Sequence, residues 1–271
     1  MSALITLTTD FGWRDPYVAA MKGVLLSLCP DAVVTDLSHD ISAHNVLEAA
    51  LFVSGSAPYF PAGSVHVAVV DPGVGTDRLP IAVAAEGIFF VCPDNGILTL
   101  YLRQHVCGEV RVISNPDFML KNVSSTFHGR DIFAPAAARL ACGFAFEDIG
   151  AITTDMVRLP VPSAGRISRD KIAGQIIHTD RFGNLTTNIP RSMTRSDGAD
   201  SGAVVEAGQG RVRLNRLRHA YGEVACGKPL ALWGSSGYLE IAVNQGSAAL
   251  ELELTVDDQV SLRIEGNSHS D

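Results

Sequence analysis

The chain has 271 residues, a formal charge of −8, and 46% hydrophobic against 18% charged residues. That length supports a substantial core in one large domain or two smaller ones. The acid excess and the lack of any basic stretch argue against nucleic acid or an anionic membrane as the main partner and leave a small molecule as the expected one.

Met1, Ser2 and Ala3 run directly into a strand without a signal-peptide pattern, and no apolar stretch is long enough to span a bilayer. A cytoplasmic protein is expected. Cys29, Cys92, Cys107, Cys142 and Cys226 are odd in number, scattered and without a CxxC pair, so they are expected to be buried free thiols.

In chain order, residues 4–8 read as a short strand that empties into Thr9-Asp10-Phe11-Gly12. Asp15 and Pro16 are helix-start signals, with Val18, Met21, Leu25 and Leu28 at helical spacing before Pro30 ends the run. A strand at 32–37 and a helix at about 45–56 follow, which makes a βαβαβ pattern leading into Val65-His66-Val67-Ala68-Val69-Val70. Continuous hydrophobicity there is what a strand covered on both faces requires, and its carboxyl end carries Asp71 and the glycine-spaced turn Pro72-Gly73-Val74-Gly75. Arg78 can pair with Asp71 or with a shared ligand; the alternative is an ordinary turn with a solvated Asp.

A hairpin of 81–85 and 88–91 ends in Pro93-Asp94-Asn95-Gly96, followed by a helix at about 97–105 and a strand at 110–113. Phe127-His128-Gly129-Arg130-Asp131 precedes a helix over 133–142. A linker is expected at 159–168, and beyond it the pattern changes to short strands at 172–178, 185–189, 203–206, 211–214, 230–233, 238–243, 250–256 and 259–264. Residues 195–202 read as a polar surface loop and 266–271 as a disordered tail. The fold expected is α/β: an N-terminal α/β sandwich domain with a mostly parallel sheet over 1–160, and a smaller all-β barrel over 169–265.

The dinucleotide-binding GxGxxG fingerprint, the Walker loop and the GxSxG elbow are all missing. Asp10, Asp71, Asp94, Arg78 and His128 instead fall at loops that can converge on one sheet edge; the histidines lack metal-ligand spacing. In the second half, Phe182 between Asp180 and Asn184 either stacks on a base or packs inward, and 233–240 is either a plain turn or a loop closing on a ligand.

Asp10-Phe11-Gly12, Asp71 through Gly75 with Arg78, Pro93 through Gly96, His128 through Asp131, Asp180 through Asn184 and Ser235 through Asn244 together resemble the S-adenosyl-L-methionine (SAM) hydroxide adenosyltransferases, SAM hydrolases related to the fluorinase and chlorinase. The resemblance spans roughly residues 3–265, with the motifs in the family's order. It implies hydrolysis of SAM to adenosine and L-methionine, with SAM as substrate, no cofactor and no metal. It also implies a homotrimer with sites between subunits. By the same resemblance Asp71, Arg78 and His128 handle water, Asp10 binds the ribose hydroxyls, and Asp180 contacts the methionine end. Phe182, Asn184 and the 235–243 segment, with Ser235, Glu240 and Val243, surround adenine, and Tyr221 supplies a second stacking face. His44 stands where the fluorinase has a tryptophan and Tyr17 where it has a serine. A non-catalytic adenosine or SAM sensor and a metal-dependent phosphoesterase are the competing readings.

Overall fold

Uninterrupted apolar runs in the first half become the middle of a parallel sheet in the computed structural model, which describes residues 3–194 and 202–264. The chain divides into two units, Met1–Pro160 and Val161–Asp271. The first contains β1 (Leu4–Thr9), α1 (Tyr17–Leu28), β2 (Val33–Ser38), α2 (Val46–Ser56), β3 (Val65–Val69), β4 (Pro80–Ala85), β5 (Ile88–Pro93), β6 (Val110–Val112) and α3 (Ala134–Ala141). The sheet order is β2-β1-β3-β5-β4-β6, with β2, β1, β3 and β5 parallel and β4 antiparallel to both neighbours. Chain order reverses between β1 and β3, where α/β sheets open a crevice beyond the strand carboxyl ends. Thr9 pairs with Val69 in that register, so Asp10 and Asp71 leave adjacent strands at the same edge.

Both sheet faces are covered. Met21 and Leu25 of α1 and Ala137 and Leu140 of α3 pack with Ile5, Leu7 and Val67 on one face; Ala49 and Val53 of α2 pack with Ala68, Val70 and Ile81 on the other. Burying each such Leu or Ile contributes about 1.5–3 kcal/mol.

The second unit contains β7 (Gly165–Arg166), β8 (Lys171–Thr179), β9 (Leu185–Pro190), β10 (Ala203–Ala207), β11 (Val212–Leu214), β12 (Leu217–Arg218), β13 (Pro229–Trp233), β14 (Tyr238–Val243), α4 (Ala248–Glu251) and β15 (Gln259–Ile264). They form one sheet in the order β11-β10-β15-β8-β9-β14-β13-β12, with β7 beside β8. The first half of β8 pairs with β15 and its second half with β9, and the sheet curls into a nearly closed barrel around Ile176, Leu185, Val205, Ile241 and Leu262.

Several local expectations fail for physical reasons. Residues 97–105 form turns and a short 3₁₀ segment (Tyr101–Arg103) instead of a helix: Ile97, Leu98, Leu100 and Tyr101 are all buried, leaving no amphipathic face to propagate one. Residues 250–256 are not a strand; Ser247 caps α4 through the Leu250 N–H, and Glu253 takes a left-handed conformation. Asp15 does not cap α1, which begins after Pro16 without a side-chain cap. The linker holds β7.

Cys29 and Cys142, expected to be free thiols, are disulfide-bonded across the C-terminal ends of α1 and α3, with Cα atoms 5.9 Å apart. Of the other cysteines only Cys92 is fully buried, and Cys226 is exposed. The polar loop expected at 195–202 lies, except for Gly202, outside the described residues, as does the tail at 266–271. No helix among the described residues is long and apolar enough to cross a membrane.

Candidate functional site

A cavity of about 500 Å³ opens at the crevice between β1 and β3. Asp10 and Phe11 enter it after β1, Asp71 and Val74 after β3, Tyr17 from the start of α1, His44 from the connection before α2, and Thr126 through Arg130 from the segment before α3.

Asp71 is held from behind. Arg78 Nε donates to Oδ1 and Oδ2 of Asp71 at 3.0 and 3.1 Å, and Nη2 donates to Oδ2 at 2.5 Å. Side-chain exposures of 9% and 6% show that the pair is largely withdrawn from solvent, where such forks are strongest. The same Nη2 donates to His128 Nδ1 at 2.7 Å. Burial, and then the Arg78 charge, push the His128 pKa below its ordinary value, against the opposing pull of Asp71 and Asp131. The neutral imidazole accepts at Nδ1 and therefore carries its proton on Nε2. Arg78 also lies over the Phe133 ring at 5.2 Å, and its Nη1 is buried without a hydrogen-bond partner.

The loops around this set are braced. Gly75 has φ +77, and a Cβ there would fall 2.4 Å from the Ser125 carbonyl oxygen, so this glycine lets the loop after β3 approach the segment that carries His128. Asp131, fully buried, accepts from Arg130 Nε and Nη2 and from Ser124 N at 2.6, 3.0 and 2.8 Å, closing that segment on itself. Gly129–Phe133 forms a π-helical turn, a form frequent at functional sites. Phe11, Tyr17 and Phe127 give the cavity an aromatic wall, with ring centroids 5.2–5.9 Å apart. Asp10 Oδ2 accepts from His44 N at 2.9 Å.

Asp94, grouped with these acids on sequence grounds, does not join them. It is buried, accepts from Val157 N at 2.9 Å and has its pKa raised by burial. Its neighbour Asn95 is the supporting residue instead, donating from Nδ2 to the Val70 carbonyl just before Asp71 at 2.8 Å. Nothing in the turn composition distinguishes Asn95 in that role. Asp131, three residues after the cavity histidine, was visible in the sequence as an acid but not as a brace.

In the second unit, Asp180 Oδ1 accepts from Phe182 N and Asn184 N at 2.9 and 2.8 Å, and Oδ2 accepts from Asn184 Nδ2 at 3.0 Å. That turn presents Phe182 outward at 75% exposure, which overturns inward packing. Tyr221 donates to Glu240 Oε1 at 2.7 Å. Burial pushes the Glu240 carboxyl up, with Asp180 adding to it against the Tyr221 hydrogen bond; burial and Glu240 push the Tyr221 hydroxyl up. Ser235 is exposed in the turn between β13 and β14. Val243 points into the barrel core at 3% exposure, so its side chain is not available to a ligand and only its backbone remains. Among the described residues, no group of three or more His, Cys, Asp or Glu is arranged to hold a metal ion.

Residues 5–150 match the family model of the SAM hydroxide adenosyltransferase N-terminal domain, and residues 174–261 that of its C-terminal domain. The (R)-S-adenosyl-L-methionine hydrolase of Salinispora tropica is 40% identical over 265 residues, covering 94% of this chain and 96% of that protein. A fluorinase from Actinopolyspora mzabensis is 29% identical over 96% of both chains. The crystal structure of an uncharacterized conserved protein from Thermotoga maritima superimposes with a TM-score of 0.88 at 34% identity, covering 96% of this chain and 99% of that one. With both domain models matched in order and the hydrolase identity sustained along nearly the whole chain, this protein belongs to the SAM hydroxide adenosyltransferase family.

Proposed function

We propose that this protein hydrolyses SAM to adenosine and L-methionine by in-line attack of water on C5′. The observation that carries this reading is the Asp71, Arg78 and His128 set at a cavity walled by aromatic rings. The sulfonium is already a good leaving group, so the reaction needs neither an acid behind sulfur nor a cofactor. It needs a single aligned water and little competing solvent. The C5′–O bond forms as the C5′–S bond breaks, and the electron pair returns to sulfur as the neutral thioether of methionine. The water proton passes toward the Asp71 carboxylate and then to solvent. His128, with Nδ1 occupied by Arg78, acts as a hydrogen-bond donor through Nε2 and not as the base. Arg78 fixes the Asp71 carboxylate so that no reorientation is needed when charge develops.

Asp10 binds the ribose hydroxyls. Asp180, Phe182, Asn184, Tyr221, Ser235 and Glu240, with the Val243 backbone, receive the rest of SAM from a neighbouring subunit of a homotrimer. The outward Phe182 ring supports this assignment.

Pure protein incubated with SAM should release adenosine and methionine in equal amounts. Release of S-adenosylhomocysteine or adenine, or tight adenosine binding with SAM left intact as for a sensor, overturns the reading. SAM hydrolysis that survives chelator excludes the metal-dependent phosphoesterase. For the shared site, Asp71→Ala and Asn184→Ala chains, each nearly inactive, should regain activity when refolded together. No recovery despite proven mixed assembly places the site within one chain.

A further inference from the structure

Beneath the Asp10 loop, and outside the cavity, lies a second histidine network. His39 is 1% exposed and Thr9 fully buried. His39 Nε2 lies 2.9 Å from Asp36 Oδ1, and Lys22 Nζ donates to Asp36 Oδ2 at 2.6 Å. His39 Nδ1 lies 2.7 Å from Thr9 Oγ1, and that oxygen accepts from Phe11 N at 3.2 Å. The His39 carbonyl accepts from Gly12 N at 2.8 Å. Trp13 packs edge-on against the imidazole with centroids 4.6 Å apart, and Lys22 lies 5.7 Å over the Trp13 ring.

Hydroxyl, imidazole and carboxylate in a row resemble a hydrolytic triad, but the geometry excludes that use. In a triad Nε2 faces the hydroxyl and Nδ1 the acid; here the two nitrogens are exchanged. No substrate can reach a Thr9 oxygen buried at the end of a central strand.

The proton positions follow from the partners. Burial raises the Asp36 carboxyl, yet the hydrogen bonds from Lys22 and His39 outweigh it and hold the group below the ordinary carboxylate value, so Asp36 is an acceptor only. His39 Nε2 therefore donates, Nδ1 accepts the Thr9 hydroxyl proton, and the Thr9 oxygen is left to accept from Phe11. His39 thus holds both residues after Asp10, Phe11 through its ring and Thr9, and Gly12 through its backbone carbonyl. Gly12 has φ +65, so the chain turns sharply there and needs both anchors to hold the preceding carboxylate in place.

We propose that His39 is a positioning residue for substrate binding, holding Asp10 through Thr9 and Gly12 in the conformation that receives the ribose, with Asp36 and Lys22 fixing its tautomer. This rests on the reading that Asp10 binds the adenosyl group. It adds residues that touch no substrate, in contrast to the Asp71 set, which belongs to other loops. Loosening the network should weaken binding and spare the chemical step.

The test compares Thr9→Val and Thr9→Ser with the parent by thermal melting, by calorimetric adenosine affinity, and by kcat and KM for SAM. Thr9→Val leaves the Phe11 N–H and His39 Nδ1 unpaired, and a lost hydrogen bond of that kind corresponds to about a threefold to tenfold rise in adenosine Kd and in KM, with kcat changed less than about twofold. Thr9→Ser should restore the parental affinity. A folded Thr9→Val with the parent's Kd overturns the proposal, as does a loss confined to kcat.

Should Thr9→Val fail to fold, His39→Asn and His39→Gln read the same point. The shorter amide can still accept from Thr9 whereas the longer one reaches only Asp36, so the Gln variant should bind adenosine more weakly than the Asn variant; equal, parental affinities in both overturn the proposal. A parent that binds adenosine but leaves SAM intact overturns the hydrolysis reading alone. A parent that hydrolyses SAM with a KM unmoved by Thr9→Val overturns the positioning role alone.

Discussion

The two units present their polar groups on opposite plans. In the α/β unit the reactive groups are buried, ion-paired and braced: Arg78 forks onto Asp71, touches His128 and lies over Phe133, while Asp131 and Asn95 pin the surrounding loops. In the barrel unit the Asp180–Asn184 turn leaves Phe182 outward, with Asp180 using its oxygens to shape its own loop. Chemistry that depends on placing a water calls for preorganisation, whereas recognition of a flat base calls for an available face. On the proposed reading the contrast ties kcat to the Asp71 set and base stacking to Phe182, while ribose affinity rests on Asp10 in the first unit.

The largest expected effect breaks the first half. Asp71→Asn keeps the shape of the carboxylate, removes its charge and should lower kcat about 10²–10³-fold, the range seen for loss of one preorganised electrostatic group. Adenosine affinity should change little, and a parental kcat would remove Asp71 from the mechanism. Asn is the cleaner substitution because its amide oxygen still accepts from Arg78, whereas Asp71→Ala leaves the buried guanidinium neither counter-charge nor acceptor there.

The α/β unit should also be the acid-sensitive one. His66, 2% exposed on β3, shares a hydrogen bond between Nδ1 and Thr6 Oγ1, and burial lowers its pKa to about 4. The unfolded chain takes up a proton near pH 6.5 that the folded chain refuses until about pH 4. Stability should therefore fall as pH drops through that window, by about 3 kcal/mol. Urea midpoints at pH 7 and pH 4 measure it. His66→Asn, which keeps an acceptor for Thr6, should flatten the dependence; an unchanged slope assigns it to other groups.

Phe182→Ala probes the barrel half. Because the ring is 75% exposed, its loss should leave the melting temperature within a degree or two, while the adenosine Kd rises by the equivalent of about 1–3 kcal/mol of lost stacking. Equal affinity would show that the ring has no part in holding the base.

The smallest effect is a pH profile. The lowered His128 pKa places the acid limb of kcat below pH 6.5: above it the neutral ring accepts from Arg78, and protonation removes that acceptor and sets two cations together. A limb centred above 6.5 would contradict this arrangement. His128→Gln should abolish it.

The strand runs, the acids at their ends and the change from βα units to short strands are legible in the chain's residue pattern. These depend on local periodicity and on turn residues that act within a few positions. Family likeness carried the roles proposed for Asp10, Asp71, Arg78 and His128. That Asp94 turns away to Val157, that Cys29 meets Cys142, that Val243 is core and that His39 lies beneath Asp10 emerges from the folded arrangement. Each depends on which loops the sheet order makes neighbours. The stretch 97–101, buried along its whole length, takes its backbone from packing because no single face is favoured over another.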